Sequence, residues 1–222
     1  MIMVLVVIPA FNEEAKVGRV IRGLFENGYH GIVVVDDGSK DNTAAEAEKA
    51  GAKVLRHRLN RGQGAALETG DSYARQAGAD VVVHFDADGQ FNAADIAPAL
   101  NMLQEKKVDV VFGSRFLDNR SKIPCFKKHI LLPLARWVNF VFTGIMLTDA
   151  HNGFRVLSRN ALSKIVFTQD RMAHNTEILK LIKKNKLTFA EIPVEVSYSR
   201  YGQGLSGGVK IIYELVVGFF TN

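Results

Sequence analysis

The chain has 222 residues, 47% hydrophobic and 23% charged, enough for one sizeable core and too apolar for a disordered chain. Its single cysteine, Cys125, excludes a disulfide framework or a cysteine-based zinc site and suits a reducing compartment. Net charge is +5 with a sequence pI near 9.3, and the longest apolar approach to a membrane span, Ile130 to Leu147, is broken by Arg136, so a conventional span is not expected.

Met1 to Ile8 is apolar but has no basic leader and runs straight into Pro9, so it reads as a strand, Val4–Ile8, and not as a signal peptide. Asn12 is a candidate cap for a helix whose Val17, Val20, Ile21 and Leu24 follow helical spacing, stopping near Gly28. Ile32–Val35 is a second strand ending at Asp36-Asp37-Gly38. A short helix follows from about Asn42 to Ala50, then a weaker strand at Lys53–Leu55. Gln63–Gln76 is helical in part, entered through Gly62 and Gly64. Val81–Phe85 is a fourth strand, Ala94–Leu103 a helix and Val108–Phe112 a fifth strand. Strands alternating with helices predict an α/β fold with a mostly parallel sheet covered on both faces, whose ligand sits at the carboxyl ends of the strands. Polar signatures cluster at those ends: Asn12-Glu13, Asp36-Asp37, Asp86-Ala-Asp88 and Ser114-Arg115.

The second half is different. Arg115 to Arg136 holds six basic residues (Arg115, Arg120, Lys122, Lys127, Lys128, Arg136) against one acid, Asp118, so this window carries as much net charge as the whole chain. Such a patch seeks phosphate, in nucleic acid, anionic lipid or a phosphorylated substrate. A polar turn at Asp149–Arg155 follows, then helices near Asn160–Ile165 and Asn175–Lys183, a strand pair within Thr188–Tyr198, and a Gly-rich loop, Tyr201–Gly208, leading to a final amphipathic helix. With no repeat and no low-complexity linker, residues 1–222 read as one domain, a nucleotide-binding half (1–115) and an acceptor and membrane-interface half (116–222).

Two acids one residue apart at the mouth of a hydrophobic strand raise each other's cost of ionisation unless a cation lies between them. Asp86 and Asp88, with the amide oxygen of Gln90, suit a hard divalent ion, Mg²⁺ or Mn²⁺, bridging carboxylates to phosphates; the plain alternative is a polar turn. A dinucleotide fold would need G-x-G-x-x-G where Pro9-Ala-Phe-Asn-Glu13 stands, and a phosphate-binding Walker loop is missing as well.

Six motifs in order carry a resemblance. They are Val7-Ile-Pro-Ala-Phe-Asn-Glu-Glu14, Val34–Thr43 around Asp36-Asp37-Gly38-Ser39, Asn60–Ala66, Phe85-Asp-Ala-Asp-Gly-Gln90, Gly113-Ser-Arg115 and Asp149-Ala-His-Asn-Gly-Phe-Arg155. With them the chain resembles family-2 glycosyltransferases of GT-A fold, most closely the dolichol-phosphate mannose synthase and polyprenyl-phosphate glycosyltransferase group. The resemblance implies a metal-dependent hexosyltransferase with inversion, moving a hexose from a GDP-mannose or UDP-glucose type donor to a polyprenyl or dolichyl phosphate. It places Pro9, Ala10, Glu13 and Asp37 around base and ribose, with Gly62, Gln63 and Gly64 at the nucleotide. Asp86 faces sugar and metal, and Asp88 and Gln90 hold the metal. Asp86, Asp88 and Arg115 become the catalytic candidates. Arg115 and Lys127 or Arg136 become acceptor-phosphate ligands, and Arg200 and Ser206 close over the diphosphate, although the Gly-rich loop also reads as a plain connector. Glu177 reads either as orienting sugar or acceptor, or as a helix cap.

A phosphate acceptor is already ionised at neutral pH and needs positioning more than a base; Arg suits it bidentately. Ile130–Leu147, with Trp137, Phe140 and Phe142, reads as one or two interfacial amphipathic helices where a polyprenyl tail rests, or as a helix pair packed on the sheet. The expectation is a peripheral protein at the cytoplasmic membrane face, with room for a membrane-anchoring partner and no nucleic acid. The rivals are a related transferase acting on a soluble or cell-surface glycan, a nucleotidyltransferase and a non-catalytic nucleotide-sugar binder.

Overall fold

The computed structural model describes residues 2–118, 120, 140, 144–149, 152–171 and 173–197. Its centre is a seven-stranded sheet in the order β3-β2-β1-β4-β6-β5-β7. The strands are β1 (Val4–Ala10), β2 (Ile32–Asp36), β3 (Lys53–Arg56), β4 (Val81–His84), β5 (Val110–Ser114), β6 (Arg155–Ser158) and β7 (Phe189–Pro193). The helices are α1 (Val17–Glu26), α2 (Thr43–Lys49), α3 (Gln63–Ala77), α4 (Ile96–Glu105, preceded by a 3₁₀ turn at Ala93–Asp95), α5 (Arg159–Lys164) and α6 (His174–Lys184). β6 alone runs antiparallel to its neighbours β4 and β5; the others are parallel. This is the expected mostly parallel sheet.

The strands read as continuous Val and Ile runs because both faces are covered. Along β1, Val6, Ile8 and Ala10 pack with Val17, Ile21 and Leu24 of α1 and Ile96, Ala99 and Leu103 of α4. Leu5 and Val7 point the other way, into a second core with Leu67 and Ala74 of α3, Leu162 of α5 and Ile178 and Ile182 of α6. Gly70 lets α3 lie against β1, because a methyl group there would collide with Val7.

Three expectations are corrected. Asn12 does not cap α1, which starts after Lys16. Asn12 adopts φ 55° and ties itself to the turn after β2, its Oδ1 accepting from Lys40 N at 3.0 Å and its N–H donating to Ser39 Oγ at 2.9 Å. The stretch expected to be a polar turn ends in β6, whose first residue is Arg155, a central strand the pattern did not reveal because it is four residues long and opens on a buried arginine. Thr188–Tyr198 does not fold as a strand pair: β7 pairs in parallel with β5, and Val196 makes a separate bridge to Phe91. The interfacial helices expected in Ile130–Leu147 and the final amphipathic helix lie almost entirely outside the described residues. Among those described, no helix is long and apolar enough to cross a membrane.

Candidate active site

Six strands end on one edge of the sheet and antiparallel β6 begins there, so the polar strand ends form a row. At the β1 and β2 ends the chain is zipped together. Glu13 N donates to Thr43 Oγ1 at 2.8 Å, Asn42 N to Glu14 Oε2 at 2.9 Å, and Asp37 N to the Ala10 carbonyl at 2.8 Å. Pro9 and Ala10 are buried in β1, opposite Val35 and Asp36. The Glu13 side chain pairs with Lys16 at 3.0 Å.

Asp37 is buried and much of its hydrogen-bonding capacity is already in use. Oδ1 accepts from Arg61 N at 3.0 Å and faces His57 Nδ1 at 2.7 Å; Oδ2 accepts from Gly62 N at 2.6 Å. It fixes the loop that enters α3. Gly62 needs its φ of 103°, and a methyl group on it would stand 2.8 Å from the Asp170 carbonyl; one on Gly64 would collide with the Gln169 carbonyl. These glycines admit the Gln169–Arg171 loop against the start of α3, where Ala65 N donates to Asp170 O at 3.0 Å. Glu177 holds that loop: its carboxylate accepts from Thr168 N and Gln169 N, each at 3.0 Å.

The structure brings Gln63, Asp86, Asp88 and Gln90 together. Gln63 Nε2 donates to Asp86 Oδ1 at 3.0 Å, and Gln90 N to Asp88 Oδ1 at 2.9 Å. Gly153, just before β6, completes the wall: a methyl group there would lie 2.6 Å from Asp86 Oδ2. Burial, with the Asp88 carboxylate beside it, pushes Asp86 up from the usual carboxylate range to about 6. Two carboxylates this close, with a carbonyl-bearing amide two residues on, offer the oxygen donors that a hard divalent cation takes. Among the described residues no group of three or more His, Cys, Asp or Glu forms a metal cluster. Any ion here would take the rest of its shell from neutral oxygens and substrate.

Arg115 lies two strands further along, beyond β6, at the end of β5. Its Nε donates to Asp149 Oδ2 at 2.6 Å and Nη2 to Asp149 Oδ1 at 2.7 Å, a bidentate pair in which Asp149 is buried. Its guanidinium also stacks over the Phe116 ring, 5.4 Å from the centroid. Arg120 is likewise engaged, with Asp118 at 2.6 Å and buried Asp95 at 2.8 Å. Counting charge within the window therefore overstated the free basic surface, because Asp95 and Asp149 come from outside it. Lys127, Arg136, Arg200 and Ser206 lie outside the described residues.

Sequence reasoning assigned no role to Asp149, Gly153 or Arg155, though all stand in the Asp149–Arg155 motif. Nor did it find His84 and Asp71, paired at 2.9 Å in the interior beneath the site. Arg155 is 0% exposed, and burial lowers its pKa to about 10. Burial, with Arg155 nearby, lowers His174 to about 3.

The fold is that of the GT-A glycosyltransferases. Glucosyl-3-phosphoglycerate synthase from Mycobacterium tuberculosis, crystallised with Mg²⁺ and uridine diphosphate, superposes with a TM-score of 0.71 at 19% identity, covering 96% of this chain and 76% of that one. A UDP-N-acetylglucosamine–dolichyl-phosphate N-acetylglucosaminyltransferase of Methanococcus voltae is 33% identical, over 97% of this chain and 95% of its own. A dolichyl-phosphate β-glucosyltransferase of Trichomonas vaginalis is 28% identical, over 95% of this chain and 71% of its own. The model of glycosyl transferase family 2 matches residues 5–166, so the chain is a member of that family.

Proposed function

We propose that this protein transfers a hexose, with inversion, from a nucleotide sugar to a polyprenyl or dolichyl phosphate. The observation that carries the reading is the partly buried Asp86 carboxylate beside Asp88 at the sheet edge, held protonated above the usual carboxylate range by burial and that neighbour, two strands away from the Arg115–Asp149 pair. Support for the lipid phosphate comes from the dolichyl-phosphate transferases among its relatives, one of which aligns along nearly its full length. Of the donor types weighed, a UDP sugar is favoured, since that relative's name and the bound ligand of the structural neighbour both contain uridine diphosphate.

In this reading Pro9, Ala10, Glu13, Asp37, Gly62 and Gln63 border the nucleotide and Asp86 faces the sugar. Asp88 and Gln90, with Asp86, would hold Mg²⁺ or Mn²⁺, whose charge offsets that of the departing diphosphate. An acceptor phosphate oxygen attacks the anomeric carbon as its bond to the nucleoside diphosphate breaks, both electrons leaving with the diphosphate. Arg115 positions that phosphate, already locked in orientation by Asp149. Lys127 or Arg136 is the second phosphate ligand, Arg200 and Ser206 close over the diphosphate, and the basic, aromatic 116–147 region meets the cytoplasmic membrane surface, alone or beside an anchoring partner.

The test is product analysis. A panel of UDP and GDP sugars is offered with a short polyprenyl phosphate and, in parallel, water-soluble acceptors, with and without EDTA. Sugar in the organic phase, lost in EDTA and in Asp88→Asn, is expected. Transfer only to soluble acceptors would move the protein to the second acceptor class.

A further inference from the structure

Behind Asp86 lie three buried side chains with unused hydrogen-bonding capacity. Asp71 on α3, His84 on β4 and Arg155 on β6 are each no more than 1% exposed. His84 Nε2 is 2.9 Å from Asp71 Oδ1, so in the neutral ring Nε2 donates and Nδ1 is left as an acceptor. Arg155 uses Nη2 on Asn175 Oδ1. Four buried polar atoms then have no hydrogen-bond partner among the described residues: Asp71 Oδ2, His84 Nδ1, Arg155 Nε and Arg155 Nη1.

These atoms share one region. His84 and Arg155 are direct partners across the antiparallel β4–β6 pair, which sets their Cβ atoms about 5 Å apart. Both project toward the α3 face, and Asp71 is bonded to His84. Their chemistry is also complementary. Two are acceptors and two are donors, and water donates twice and accepts twice. An anion would suit Arg155 but meet the Asp71 carboxylate, and a cation would meet Arg155. Buried water settles where it replaces otherwise missing hydrogen bonds.

We infer that Asp71, His84 and Arg155 enclose ordered water, and that this hydrated centre positions the carboxylate of Asp86. The elements involved explain the second half. α3 begins with Gln63, whose amide donates to Asp86 Oδ1 at 3.0 Å. The chain reaches Asp86 two residues after His84. Gly153, two residues before Arg155, borders Asp86 Oδ2. Water bridging the three side chains ties together the three elements that surround this carboxylate. Arg155, His84 and Asp71 are thus positioning residues and touch no substrate.

The role at Asp86 rests on the reading that Asp86 faces the donor, and the test separates the two. A crystal structure of the wild type, at a resolution that shows ordered water, should place water within hydrogen-bonding distance of at least three of the four atoms. A dry site, or one filled by chloride or by another side chain, overturns the inference. Binding of UDP and, separately, GDP in the presence of Mn²⁺ is then measured by calorimetry for wild type, R155M and R155K. R155M keeps length and apolar packing but removes the donors; it should weaken nucleotide–Mn²⁺ binding about tenfold, and R155K should recover part of the loss. If R155M does not fold, H84F replaces it, keeping an aromatic ring against Phe167, 6.2 Å away. Unchanged affinity in a folded variant refutes the positioning role. Wild type that shows the water yet binds neither nucleotide refutes the donor reading and, with it, the role at Asp86.

Discussion

Gly153→Ala tests the geometry of the site with the smallest possible change. The added methyl carbon would stand 2.6 Å from Asp86 Oδ2, 3.0 Å from Oδ1 and 3.1 Å from Cγ. Non-bonded heavy atoms rest roughly 3.5 Å apart, so the carboxylate must retreat by on the order of 0.5–1 Å. A shift of that size disturbs its 3.0 Å bond from Gln63. A misplacement of about 1 Å in a positioned group can cost up to about a hundredfold. The expected loss in kcat/KM for sugar transfer is thus about 10- to 100-fold, or roughly 1.4–2.7 kcal/mol of transition-state stabilisation. Stability should hardly change, because Gly153 is not in the left-handed region and the group that must yield is the end of a side chain; a loss within about 1 kcal/mol is expected. Steady-state kinetics at saturating acceptor and urea unfolding measure the two quantities. A folded Gly153→Ala enzyme within twofold of wild-type kcat/KM would refute the reasoning, and so would a variant that loses stability and activity in parallel.

Three further outcomes follow from other parts of the site. Asp86, raised to about 6, holds its proton more tightly folded than unfolded, so stability falls as pH rises from about 4 through 6. Asp86→Asn should therefore stabilise the cation-free protein at pH 8 by on the order of 2–3 kcal/mol and hardly at pH 4, while abolishing transfer; equal effects at both pH values in urea melts would contradict this. Asp149→Asn breaks the bidentate lock on Arg115 and should cost about 1.5–3 kcal/mol, read as a raised acceptor KM with donor affinity intact, a pattern Arg115→Ala should share. Reversing Lys127 and Lys128 to Glu should abolish low-salt sedimentation with anionic liposomes and spare donor binding, since each basic residue near a bilayer contributes about 1 kcal/mol; equal sedimentation of the variant would remove the membrane reading.

Much of the fold was legible because a sheet covered on both faces writes itself as apolar runs. Val4–Ile8, Ile32–Val35 and Val81–Phe85 all became strands, and the polar residues closing them came to one edge. β6 escaped because Arg155 opens it, and a charged residue in a four-residue segment contradicts the burial signal by which strands are read. The acids at the strand ends, the candidates for the site, were legible as types. Their occupation was not: nothing local in sequence says that Asp37 is bonded by Arg61 and Gly62, or that Asp149 takes the fork of Arg115. Those are contacts across 24 to 34 residues of sequence, and only the register of the sheet brings them together.

The same antiparallel strand accounts for how two substrates can share the site. A parallel strand delivers its carboxyl end to the active edge, whereas β6 delivers its amino end, so the residues before it arrive there too. Because β6 lies between β4 and β5, the stretch that supplies Asp149 and residues 152–155 comes between Asp86 and Arg115. One end of it holds Arg115 through Asp149, and Gly153 borders Asp86. Between them, Asn152 Oδ1 accepts from Phe154 N at 2.9 Å, and the Phe154 ring packs on Phe85 and Phe91, the residues flanking the Asp86–Gln90 loop. A displacement of this segment therefore moves the group proposed to face the donor and the group proposed to hold the acceptor phosphate together. In-line transfer between two separately bound substrates requires that kind of shared wall, since what matters is the position of one reacting atom relative to the other.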